Sequence, residues 1–138
     1  MNLGCIKNMK KIILNKEPSY ESKLNSFKYQ EEAVDFVKDL DYAAIFHEQG
    51  LGKTKIALDI ALYWISKRDI DTVLIVTKKG LIKNWEEETK MHSYLHPKVL
   101  TNNRNSNYYV FNSPARLIIT NFETVSLEKN RLKLFAKA

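Results

Sequence analysis

The sequence predicts an α/β fold, a mostly parallel sheet with helices on both faces, and three observations predict it. Wholly apolar runs of strand length recur at residues 43–46 (Ala-Ala-Ile-Phe), 73–77 (Val-Leu-Ile-Val-Thr) and 117–120 (Leu-Ile-Ile-Thr). Strands buried on both faces of a parallel sheet read this way. Stretches with apolar residues at three- and four-residue steps separate them, as amphipathic helices would. A glycine-bearing turn, residues 47–54, joins the first of these strands to the helix that follows it.

Residues 1–26 are mixed and without sustained period, a lead-in segment that reads as a strand plus loop or as a tail. Residues 27–138 form the α/β domain, with no internal repeat and no dividing linker. Its first helix starts at Phe27 and places Tyr29, Ala33, Phe36, Val37 and Leu40 on one face. The 43–46 strand and the turn come next. A second helix carries the stripe Ile56, Ala57, Ile60, Ala61, Trp64 and Ile65, with Lys55, Asp59 and Lys67 off it. After the 73–77 strand, Lys78-Lys79-Gly80 turns the chain into a third helix. Its inner face is Leu81, Ile82 and Trp85, and Glu86-Glu87-Glu88 is its solvated side. Residues 98–101 suit a strand and 102–107 a loop, while 108–111 fit a strand or a short helix. The 117–120 strand and a helix over 127–138 complete the order.

Composition narrows the function. Of 138 residues, 44% are apolar and 28% charged, which places the chain among globular rather than disordered proteins. A net charge of +6 suits a polyanionic partner, although many basic proteins bind no nucleic acid. Cys5 is the one cysteine, so neither an intrachain disulfide nor a cysteine-based zinc cluster is available. His47, His92 and His96 read as surface or packing histidines without acidic partners at ligand spacing. No apolar run approaches the roughly 18 residues of a membrane span, and no membrane role is expected. The first residues make a poor signal peptide, so a cytoplasmic, reducing location follows. The wealth of Asn, Lys and Ile hints at an AT-rich bacterial or viral source.

The turn His47-Glu48-Gln49-Gly50-Leu51-Gly52-Lys53-Thr54 carries the chemistry. Gly50 and Gly52 let the backbone curl until its N–H groups converge on phosphate oxygens. The following helix points its positive end at the same place. Lys53 would set an ammonium between the β- and γ-phosphates, and the Thr54 hydroxyl would coordinate magnesium. The strict pattern has a glycine where His47 stands. A bare Gly-x-Gly-Lys-Thr also caps ordinary helices, so the buried strand before it and the amphipathic helix after it are the context that favours phosphate binding.

These residues resemble motif I of the SNF2-type superfamily 2 ATPases, usually Asp-Glu-Met-Gly-Leu-Gly-Lys-Thr. Glu48 and everything from Gly50 through Thr54 agree, while His47 and Gln49 depart from it. Three further segments match in order. Phe27-Lys28-Tyr29-Gln30 is similar to the family's adenine-reading element, where a glutamine amide offers a donor and an acceptor to the base. Residues 73–85 resemble motif Ia, with Lys78 for the usual proline and Gly80 for the usual serine. Ile118-Ile119-Thr120-Asn121-Phe122-Glu123-Thr124 resembles an Ile-Thr-Thr-Tyr-Glu segment. The resemblance implies a RecA-like P-loop NTPase fold, the first part of motor domain 1. It implies ATP and Mg2+ as cofactors, held by Tyr29, Gln30, Glu48, Gln49, Gly50, Leu51, Gly52, Lys53 and Thr54.

The resemblance also implies a nucleic-acid groove lined by Lys78, Lys79, Gly80, Thr120 and Asn121, with double-stranded DNA as partner through its phosphate backbone. Lys78 and Lys79 precede a helix start, where phosphate is favoured, but a solvated basic turn reads the same way. The family's acidic motif II and second motor domain do not appear, so the chain alone is expected to hydrolyse ATP negligibly. An uncovered sheet edge would invite self-association. Other readings stay open: a restriction or phage-defence helicase motor, a P-loop module with no nucleic-acid role, and an interaction domain with a vestigial loop.

Overall fold

The computed structural model describes residues 4–7, 18–40, 53–67, 70–113 and 115–137. The expected strand at 43–46 and the turn residues from His47 to Gly52 lie outside the described residues. Among those described, the order is β1 (Gly4–Lys7), α1 (Lys28–Val37), α2 (Lys53–Lys67), β2 (Ile70–Thr77), a 3-10 turn (Lys79–Leu81), α3 (Ile82–His92), β3 (Lys98–Val99), α4 (Arg104–Asn112), β4 (Leu117–Asn121), α5 (Phe122–Leu127) and α6 (Lys129–Lys137).

The strands line up as β1-β2-β4-β3. β2 and β4 are parallel, with Val73 opposite Leu117 and Thr77 opposite Asn121. β3 is parallel to β4 on its other side, and β1 joins β2 antiparallel. The strands' two-residue period sorts their side chains. Val73, Ile75, Leu117 and Ile119 pack with Ile56, Ile60 and Trp64 of α2, Trp85 of α3 and Val37 of α1. Ile118 and Leu74 face the opposite way, toward Leu100, Val110 and Phe111, with Leu132 and Phe135 of α6. Each buried aliphatic side chain here contributes about 1.5–3 kcal/mol, and a sheet apolar on both faces is stable only between two layers of helices. The fold is therefore α/β, a small parallel sheet flanked by helices.

Three local readings change. In α1 the inward stripe is Gln30, Ala33, Val34 and Val37, while Phe36 is 79% exposed. Two helical stripes overlap at Ala33 and Val37, and the core takes the one that carries Gln30 and Val34 rather than Phe36 and Leu40. Residues 104–107, expected as loop, begin α4: the Asn103 side chain caps it, accepting from Asn105 N–H at 3.0 Å and Ser106 N–H at 3.2 Å. Leu81 is exposed because the turn before α3 is 3-10, whose tighter winding carries that side chain off the inner face.

Candidate functional site

Lys53 and Thr54 occupy the first described turn of α2, both half-buried. That turn, as described, contains no acidic residue, and the N–H groups and positive dipole end of a helix start favour an anion. An ammonium and a hydroxyl at such a place fit a magnesium–triphosphate group. Glu48, Gln49, Gly50, Leu51 and Gly52 lie outside the described residues.

Tyr29 and Gln30 open α1. The Gln30 side chain is buried, and its Oε1 accepts a hydrogen bond from Phe27 N–H at 3.0 Å, closing the helix start. The Tyr29 ring stacks on Phe27, centroids 5.8 Å apart and planes 10° from parallel. The start of α1 is tied directly to α2, for Ser26 Oγ donates to Asp59 Oδ2 at 2.8 Å. Farther along, Trp64 Nε1 donates to Lys38 O at 2.7 Å. The structure thus brings the base-reading candidates of α1 beside the helix that starts with Lys53 and Thr54.

Lys78, Lys79 and Gly80 follow the carboxyl end of β2, all exposed. Lys78 is extended (φ −68°, ψ 143°) and its carbonyl accepts from Leu81 N–H at 2.9 Å, so the lysines stand on a closed turn rather than a loose loop. A methyl group built on Gly80 would meet no atom within 4 Å. Asn121 lies in register with Thr77, so the end of β4 adjoins this turn. The side chains of Thr120 and Asn121, however, work internally. Thr120 Oγ1 donates to Leu100 O at 3.3 Å, and Asn121 Oδ1 accepts from Thr124 N–H at 2.8 Å, capping α5. Both residues are buried.

Only residues 68 and 69 separate α2 from β2, and the two elements pack together, so they run in opposite senses. The start of α2 and the end of β2 then lie toward the same edge of the sheet. Open α/β sheets bind their ligands along that carboxyl edge.

The sequence reading missed a polar cluster. Lys55, taken as a charge off the apolar stripe, is 4% exposed. Its Nζ donates to Asp59 Oδ1 at 2.8 Å and to Ser22 Oγ at 2.7 Å. The signal available was the four-residue step from Lys55 to Asp59, which sets opposite charges side by side on α2. His92, read as a lone histidine, has Glu88 Oε2 at 2.8 Å from its Nε2, one turn back.

Helix starts along the carboxyl edge of a doubly covered parallel sheet define the class: an α/β domain. The family described as Type III restriction enzyme, res subunit, matches residues 23–137, and the chain belongs to it. It is a RecA-like, superfamily 2 helicase-like ATPase domain, of a kind that uses ATP with Mg2+ and binds nucleic acid. No curated protein matches the chain. Among the described residues no helix is long and apolar enough to cross a membrane.

Proposed function

We propose that this chain is the ATP-binding portion of a motor that couples ATP hydrolysis to movement along double-stranded DNA. The observation that carries it is the placement of Lys53 and Thr54 at the start of α2, beside an α1 start that holds Tyr29 and Gln30. Lys53 neutralises phosphate charge and Thr54 offers a hydroxyl to the magnesium ion, with Glu48, Gln49, Gly50, Leu51 and Gly52 completing the loop. Magnesium supplies charge that offsets the transferring phosphoryl group. Lys78 and Lys79 meet the DNA backbone, Gly80 leaves room for it, and Thr120 and Asn121 shape the adjoining turn from within.

The agreement of Glu48 and of Gly50 through Thr54 with the SNF2-type motif supports the translocase reading. The family match favours a second reading, the motor of a restriction-type helicase, and both share this ATP site. The test is a titration of labelled ATP analogue with Mg2+ into the chain and into Lys53→Ala. Binding that the substitution weakens about a hundredfold supports the site, since a charge-assisted phosphate contact is worth about 1.5–3 kcal/mol. Equal binding by both proteins rules it out.

A further inference from the structure

Lys55 is in an unfavourable place for a lysine. It lies in the first turn of α2, at the positive end of the helix dipole, where a cation is disfavoured. It is buried, and taking an ammonium and a carboxylate out of water costs more than an apolar pair of similar volume. Its partner Asp59 follows it by four residues, the weaker orientation for a helical ion pair. Neither helix stability nor packing accounts for it.

What the pair does hold is the chain segment leading into α1. Lys55 Nζ reaches Ser22 Oγ at 2.7 Å and Asp59 Oδ2 takes the Ser26 hydroxyl at 2.8 Å, so two serines four residues apart are gripped by two charges one turn apart. Ser22 lies against α3 as well, with its Oγ 3.3 Å from His92 O, the carbonyl that also accepts from Lys23 N–H at 2.9 Å. Phe27, Tyr29 and Gln30 follow directly.

The geometry points to Lys55 as a positioning residue: with Asp59 it clips residues 22–26 onto the phosphate-side helix and thereby sets the adenine-reading start of α1 at a fixed distance from Lys53 and Thr54. This rests on the nucleotide reading above. A rigid clip of this kind acts on base recognition and leaves phosphate binding alone, because Lys53 and Thr54 belong to α2 itself. Holding two parts of a ligand site in register raises affinity by lowering the ordering cost on binding.

The test variant is Ser22→Ala with Ser26→Ala, which removes both hydroxyl contacts from the segment to α2 while the Lys55–Asp59 pair stays neutralised. Calorimetric titrations use ATP, GTP and inorganic tripolyphosphate, each with Mg2+. The expected result is an ATP affinity lower by about tenfold, a tripolyphosphate affinity within about twofold, and an ATP-over-GTP preference reduced by about the same tenfold. Amide exchange should quicken across residues 22–30 and stay unchanged in α2.

ATP and tripolyphosphate affinities that fall together, or an unchanged ATP affinity, overturn the proposal. So does unchanged exchange across 22–30. If the unaltered chain binds tripolyphosphate as tightly as ATP, the positioning role falls and the phosphate site stands. Binding of neither ligand removes the nucleotide reading and the positioning role with it.

Discussion

The guanidinium of Arg116 and the carboxylate of Asp71 form an ion pair with both side chains 1% exposed. The same guanidinium donates to the Asp71 carbonyl at 3.0 Å, and its Nε donates to Tyr20 Oη at 3.2 Å. Asp71 is at the start of β2 and Arg116 immediately precedes β4, while Val73 N–H donates to Arg116 O at 2.9 Å. One pair therefore fastens the amino ends of two parallel strands and the segment before α1.

Arg116→Met should cost about 3–5 kcal/mol, because it leaves a buried carboxylate without its counter-charge. The double change Arg116→Met with Asp71→Leu should recover part of that loss, since no unpaired charge remains. Urea unfolding of the three proteins checks it. Equal stability of the single and double variants would refute the buried-charge account.

Gly80→Ala should leave stability within about 0.5 kcal/mol, since the added methyl group meets no protein atom. DNA affinity is the informative readout. A loss of affinity at unchanged unfolding midpoint shows that a ligand backbone passes close to Gly80; no loss removes Gly80 from the groove.

Lys78→Ala and Lys79→Ala should each weaken DNA binding about equally on all sequences. Each should also lower the slope of log affinity against log salt by about 0.9, the value for one phosphate contact fewer on duplex DNA. Anisotropy titrations over a range of salt measure this. An unchanged slope would return these lysines to the role of a solvated turn.

Asn103→Ala should destabilise the protein by about 1 kcal/mol through loss of the α4 cap. Asn103→Ser should keep most of that, because a hydroxyl accepts from the same N–H groups. A thermal unfolding series separates the two outcomes.

The α/β class, the helices α1, α2 and α3, and the strands β2 and β4 were legible in the sequence because each has a strong local period or a wholly apolar run. The first turn of α4 was not, since Asn102–Asn107 is polar throughout and the helix start rests on one capping side chain, a signal that a loop shares; residues 108–111 fitted a strand as well as a helix. Lys53 and Thr54 stand out in the sequence by their spacing after two glycines, and the structure sets both in the first described turn of α2. Thr120 and Asn121 read as polar groups at a strand end, and the sequence could not say that they turn inward to Leu100 and Thr124.

By itself, the sequence determined the helices α1, α2 and α3, the strands β2 and β4, and where glycine, lysine and threonine fall between such segments, because periodicity and composition are local. Only the tertiary structure decided that Lys55 is buried against Ser22, that Arg116 finds Asp71, and that α1 rotates Gln30 inward and Phe36 outward. Those outcomes depend on partners 33 and 45 residues away along the chain, and on which of two overlapping stripes meets the core. No local pattern encodes the partner of a buried charge; the enclosing fold selects it by excluding water.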